Sequence, residues 1–388
     1  MARHLAWPGT HRRATEVSYE SHIRLYLKPK IGHIRRDRLT VAHVVEMFNR
    51  IEDDNDAIEA NNSDRRALES RIRNTPKRAL REQLAELPPY RRPVRGSSQQ
   101  RILATLRAAL NDAIRQQLAT FNPAAHVTVE ATKVRPLIWT SERVEQWRRT
   151  GLRPGPVMVW TPEQAGGFLD HVAEHDPDYE ALWHVATFRG TRRGELAGLG
   201  WTDTNLDGAT LQILTQLTEV DYQVTEGAPK SAAGERTVSL DREGVRLLRQ
   251  HRRHQWAERQ RLGSLWVESG RVFTKPDGSE LRPSWISDRF ARLSAAAGVP
   301  PIRLHDLRHV AATLMLAASV DLKVIQETLG HSTLATTSDL YTSVLPEVAN
   351  AAAEATRSIV PRRKTLGHPS GTHGPPTTIA EQRGDALR

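Results

Sequence analysis

The side chains that invite chemistry crowd into one stretch, residues 304–341, which reads LHDLRHVAATLMLAASVDLKVIQETLGHSTLATTSDLY. Its polar residues stand where packing does not ask for them. His305 and Arg308 are three apart, a spacing that turns both to one face of a helix. His331 follows Gly330, a glycine suited to the left-handed stop of a helix, so a rigid turn aims the imidazole. Tyr341 comes ten residues later. A fixed cation, two imidazoles and a phenol meeting in one pocket would supply hydrogen-bond donors and proton carriers for an anionic group.

These residues need elements to position them. Val310, Ala311, Leu314, Met315 and Leu316 would bury the side of the first helix opposite His305 and Arg308. A second amphipathic segment, 322–329, runs up to Gly330. Ser332 reads as the N-cap of a further short helix, and Tyr341 rides the segment after it. Two more polar clusters lie upstream. In GTRRGE, Arg192 opens a helix that continues with Leu196 and Leu199; in GAPKSAAGER, Lys230 sits on a polar turn between strand-like runs.

The 388 residues exceed one core, so two or three domains are expected. Lys and Arg number 55 against 45 Asp and Glu, a formal charge of +10, and a phosphate-bearing partner is the natural counterpart. The absence of cysteine excludes disulfides, thiolate nucleophiles and thiolate zinc sites, which suits a reducing compartment. No apolar run approaches the roughly 20 residues of a membrane span. The opening MARHLAWPGTHRRATEV has charges but no apolar core of a signal peptide. A soluble cytoplasmic protein is expected, associated with the nucleoid.

Along the chain, Tyr19, Ile23 and Tyr26 recur at helical spacing up to a break at 29–32. Thr40 starts a second helix carried by Val44, Val45 and Phe48. Residues 53–95 read as a charged helical excursion interrupted at Pro76, its charges a solvated face. Ile102, Leu106, Leu110, Ile114 and Leu118 form an amphipathic helix closed by Asn122 and Pro123. Residues 15–130 thus make an all-helical domain, and 131–160, with RRTGLRPGP, a linker. Thr161, Pro162 and Gln164 write a capping box at the head of a second domain, 161–360. Within it a helix around 179–189 precedes strand-like runs at 210–217, 220–224 and 236–240, then helix returns at 242–260 and near Pro283. Residues 361–388 lack periodicity and read as a disordered tail. The fold class is mainly α with a small antiparallel β-sheet.

Taken together, TRRGEL, PKSAAGERTV, LHDLRH, LGHST and LYTSV resemble, in order, the active-site segments of the tyrosine recombinase (phage integrase) family. The likeness covers 161–345 well; YESHIRLYLKPKIG and LRAALNDAIRQQLATFNPAAHV resemble the family's core-binding domain more weakly. It implies a two-domain DNA clamp, a helical core-binding domain and an α+β catalytic domain on opposite faces of the duplex. It implies a catalytic set of Arg192, Lys230, His305, Arg308, His331 and the nucleophile Tyr341, with neither cofactor nor metal. The two arginines would grip the non-bridging oxygens of a DNA phosphate. Tyr341 would attack to give a 3′-phosphotyrosine, and Lys230 would protonate the departing 5′-oxygen. The two histidines would share hydrogen bonding and proton transfer.

The implied partners are double-stranded DNA at attachment or core sites, a homotetramer on two duplexes with the helix at 346–358 docking on a neighbour, and an excisionase or DNA-bending protein. Integration or excision of a phage or mobile element is the implied function. A DNA-binding regulator with decayed catalysis and a related topoisomerase stay open as alternatives.

Some readings compete at single residues. Glu195 is expected to orient Arg192, and alone the pair is an ordinary helix salt bridge. Lys323 and Lys275 rival Lys230. His309 is expected to pack or to bond the backbone, and His305, His309 and His331 lack an acidic or thiolate ligand that would complete a zinc site. Gly200, Val310 and Ser343 depart from residues common in the family, and Trp201 reads as core. Too few residues precede Thr15 for the small arm-binding domain of many such integrases, so a truncated start or a simpler system is expected.

Overall fold

The computed structural model describes residues 12–75, 77–132 and 134–333. The expectations for Tyr341, the helix after Ser332, the helix at 346–358 and the tail at 361–388 lie outside these residues.

The first helices are α1 (Arg13–His22), a π-helical turn (Ile23–Leu27) and α2 (Lys28–Ile31), which follow one another without interruption. The expected break at 29–32 therefore falls at its far end, where α2 stops before Gly32, and not at Pro29. Proline stands in the first turn of α2, where it lacks an N–H, and the wider π turn before it absorbs the missing bond. Thr40 starts α3 (Val41–Asn74), its hydroxyl accepting from the His43 N–H. The second helix and the first part of the charged excursion are one helix, since no Gly or Pro interrupts 41–74. Its polar half is anchored by two buried asparagines. Asn55 exchanges bonds with the Val94 backbone at 2.6 and 3.1 Å, and Asn62 donates to Arg91 O at 2.7 Å. α4 (Arg78–Glu86) and α5 (Gly96–Arg115) follow. Leu27 of the π turn, Val44, Met47 and Ile51 of α3, and Ile102, Leu106 and Leu110 of α5 form a shared core.

Beyond it, β1 (Leu137–Ile138) pairs in parallel with β2 (Met158–Val159), and α6 (Ser141–Thr150) lies between them. The stretch read as a linker thus holds a helix and a strand pair, and the sheet content includes a short parallel ladder besides the antiparallel ones.

Thr161 and Gln164 form the expected capping box on α7 (Pro162–His175). α8 (Glu180–Arg189) is buried on nearly every side and stops at Gly190, φ +59°. α9 (Arg193–Gly198) leads to β3 (Thr204–Asn205) and β4 (Thr210–Ile213). A hairpin of β5 (Gln216–Val220) and β6 (Gln223–Gly227) intervenes before β7 (Arg236–Ser239). The run at 210–217, expected as one strand, splits between two sheets. β4 joins β3 and β7 in the order β3-β4-β7, while β5 pairs only with β6.

Four helices complete the described chain: α10 (Arg242–Leu262), α11 (Pro283–Ala296), α12 (Leu307–Ala317) and α13 (Leu322–Leu329). Trp160, Phe168, Trp183 and Phe290 make an aromatic core between α7, α8 and α11, with ring centroids 5.2–6.0 Å apart. α12 packs on α8, which brings the chain around Arg308 against Gly190. No helix among the described residues is long and apolar enough to cross a membrane.

Candidate active site

Four segments that end or begin helices converge here. Gly190 turns the chain out of α8 in a left-handed conformation, and two residues later Arg192 caps α9. Glu195, one turn on, accepts from the Arg192 backbone N–H at 2.9 Å and from its Nη1 at 2.5 Å. This carboxylate has a fully buried side chain. Arg236 of β7 meets it from the other side, Nη2 to Oε2 at 2.9 Å.

Arg308, on the first turn of α12, is 5% exposed. It donates to Gly190 O at 2.9 Å and to Leu329 O, tying the ends of α8 and α13 together. Arg192 donates to Gly330 O at 3.2 Å. Both arginines therefore hold the turn that delivers His331. Gly330 has φ +64°, and the His331 N–H bonds Gln326 O at 3.1 Å. His305 sits on a 3₁₀ turn, Leu304–Asp306, not on the helix of Arg308 as its spacing suggested. That turn is held by Arg303, which donates to the buried Asp306 carboxylate at 2.6 Å. His305, Arg192 and Arg308 line one cavity of ≈ 730 Å³ with Thr191, 216–219 and Ser287.

Charge is unbalanced in this cluster. Three guanidinium groups crowd one buried carboxylate. Burial raises the Glu195 pKa, but hydrogen bonds from Arg236 and the charges of Arg236 and Arg192 outweigh it and hold the group below its ordinary value. Burial and then the nearby Arg192 bring Arg308 down to about 9, so it stays cationic at neutral pH. His331 is pushed down to about 3 by burial, then by Arg308 and Arg192. Burial, then Arg308, also lowers His305. His331 is therefore neutral at pH 7. The arrangement asks for an anion, and a phosphoryl group is one that forked donors fit.

Lys230 is exposed on the loop between β6 and β7 and has no hydrogen bond or ion pair among the described residues. It does not line the cavity, yet its loop backs onto the site: a Cβ at Gly330 would sit 2.5 Å from Ala233 O. Of its rivals, Lys323 pairs with Glu327 at 3.3 Å on α13 and Lys275 bonds Ser279 Oγ at 3.1 Å.

His309 packs edge-on to His305, centroids 6.3 Å apart, and burial takes it down to about 4. Its Nδ1 is buried without a hydrogen bond, so the backbone bond expected as an alternative is not made there. Trp201 is half-buried, not core. Its Nε1 donates to Gln255 at 2.6 Å and Arg252 stacks over its ring. Among the described residues no group of three or more side chains could hold a metal ion.

The residue that sequence reasoning missed is Arg236. A signal existed: it shares a strand face with the buried Val238, and an inward arginine needs a buried anion.

The model of the phage integrase family matches residues 159–347. A tyrosine recombinase XerC-like protein of Caldanaerobacter subterraneus subsp. tengcongensis is 34% identical over 187 residues, 45% of this chain and 48% of that protein. The ICEBs1 integrase of Bacillus subtilis is 26% identical over 199 residues, 51% of this chain and 54% of its own length. The chain thus spans about half the length of these curated relatives. Among solved structures, the integrase of transposon Tn1549 in complex with transposon right end DNA aligns with TM-score 0.62 at 16% identity, covering 92% of this chain and 98% of that one. The shared property is the fold.

Proposed function

We propose, from the match of residues 159–347 to the phage integrase family, that the chain is a tyrosine-type site-specific DNA recombinase that integrates or excises a phage or mobile element. The observation that supports this most is the pair Arg192 and Arg308 beside an open cavity, with His305 on its wall and His331 on the turn both arginines hold.

In this reading a scissile phosphate enters the cavity and its non-bridging oxygens take the free donors of the two guanidinium groups. The Tyr341 phenol attacks phosphorus: the O–P bond forms and the bond to the 5′-oxygen breaks. An unperturbed phenol near pKa 10 is ionised only about once in a thousand at neutral pH, so a neutral imidazole accepting its proton has a clear use. Lys230 gives the 5′-oxygen its proton, and the 3′-phosphotyrosine keeps the bond energy for rejoining. Burial first and the repulsion of Arg308 second lower His305 and His331, and the charge arriving with phosphate offsets the second of these. Losing either arginine should reduce cleavage by about 10²–10³.

The substrate is double-stranded DNA at attachment or core sites, engaged by a tetramer on two duplexes with an accessory excisionase or DNA-bending protein. The helical part, 15–130, embraces the duplex opposite the catalytic domain, 161–360. The work is done on the nucleoid in the cytoplasm.

The test is a nicked suicide duplex carrying the attachment site. The full-length protein should accumulate a covalent adduct that Tyr341→Phe cannot form. A wild type that binds the site and never forms the adduct would favour a decayed DNA-binding regulator. Relaxation of supercoiled plasmids without any special site would point to a topoisomerase.

A further inference from the structure

Arg236 lies outside the cavity and only 6% of its side chain is exposed, so it cannot reach a phosphate there. Its donors go instead to three different site-bearing segments. Nη1 and Nη2 grip the Glu195 carboxylate end-on at 3.2 and 2.9 Å, the same carboxylate that holds Arg192. Nη1 also donates to Gly234 O at 3.0 Å, the end of the short 3₁₀ turn (Ala232–Gly234) that follows Lys230. Nε donates to Thr328 O at 2.7 Å, two residues before the Gly330 turn that presents His331.

The loop of Lys230 is braced on the same point. Pro229 is buried, and a Cβ on Gly234 would meet its ring at 2.5 Å, so the backbone on either side of Lys230 has little slack. From Gly330, an added Cβ would come within 2.9 Å of Arg236 Cδ. One planar guanidinium therefore sets three things at once: the partner of Arg192, the approach to His331 and the base of the Lys230 loop.

We infer that Arg236 is a positioning residue that locks the loop carrying Lys230 to the Arg192–Glu195 pair, so that the leaving-group acid and the phosphate grip are held as one unit. The inference rests on the recombinase reading and deepens it. A lysine at 236 keeps the positive charge but has no planar fork to bond three segments together. The charge stays and the geometry goes.

The experiment compares two suicide duplexes, one natural and one with sulfur replacing the bridging 5′-oxygen of the scissile phosphate. A thiolate departs without needing a proton. Arg236→Lys should form adduct at least about tenfold more slowly than wild type on the oxygen substrate, a part of the roughly 10²–10⁴ that a general acid contributes. On the sulfur substrate it should come within about threefold of wild type, as Lys230→Ala should. Affinity for the uncut duplex should be unchanged.

Equal losses on both substrates, or no loss on either, would overturn the inference while leaving the recombinase reading intact. A wild type that forms adduct on neither would overturn both. If Arg236→Lys does not fold, Gly234→Ala strains the same loop from the Pro229 side and should give the same substrate-selective loss.

Discussion

Glu195 carries more of this site than its size suggests. It is the anion between Arg192 and Arg236, and Arg308 is buried close by. Replacing it by glutamine removes the charge and keeps the shape, leaving buried guanidinium groups uncompensated. Glu195→Gln should lower stability by roughly 3–5 kcal/mol, the cost of breaking a buried pair on one side. Urea unfolding of both proteins measures it, and a difference below about 1 kcal/mol would mean that the carboxylate does not hold the cluster.

The histidines give the site a pH signature. His305, His309 and His331 all lie below the ordinary imidazole value in the folded chain, so the unfolded chain binds more protons. Their contribution is whole above about pH 6.5 and is lost as the pH falls, through about 4 for His309 and on towards about 3 for His331. The urea midpoint of the DNA-free protein should therefore drop as pH is lowered from about 6.5 to about 5, where carboxylates contribute little. His331→Gln should flatten that slope, and so should inorganic phosphate at constant ionic strength. A midpoint indifferent to both changes would remove the imidazoles from the account.

At the scale of elements, the site is assembled from helix ends rather than helix faces. α8 stops at Gly190 and α13 at Gly330, both left-handed, and Arg308 bonds the carbonyl of Gly190 and the last carbonyl of α13. These carbonyls have no partner inside a helix, so a buried arginine satisfies them and is fixed in return. Gly330→Ala tests the arrangement. The left-handed backbone costs about 1–2 kcal/mol for a residue with a Cβ. The new methyl would also press on Ala233 O at 2.5 Å. The variant should melt several degrees lower and cleave far more slowly while still binding DNA. Unchanged cleavage would show that the turn need not be held where it is.

At the scale of the molecule, the chain carries an excess of ten positive charges, and many of the arginines among its described residues are exposed. If such groups neutralise some 6–10 phosphates, affinity for the attachment-site duplex should fall by about 10³–10⁵ between about 50 and 200 mM salt. A filter-binding series measures the slope. A flat response would argue against phosphate contacts as the main source of binding.

Much of this was written along the chain. Local chemistry shows in local sequence: Thr40 and the Thr161–Gln164 box started the helices they announce, Gly330 ended one, and the amphipathic run at 102–110 gave the core its spine. Arg192, Arg308, His305 and His331 were marked by ordered motifs because each needs only its own short segment. What folding added came from pairings between distant segments, which leave no local trace. Pro29 was absorbed by a π turn, two asparagines anchored a helix that hydrophobicity alone would not have fixed, and the run at 210–217 was divided between two sheets. Arg236 stood in the sequence only as the first residue of a strand-like run. It became the common partner of three segments because burial leaves a guanidinium no water, and it must then find every acceptor within the protein.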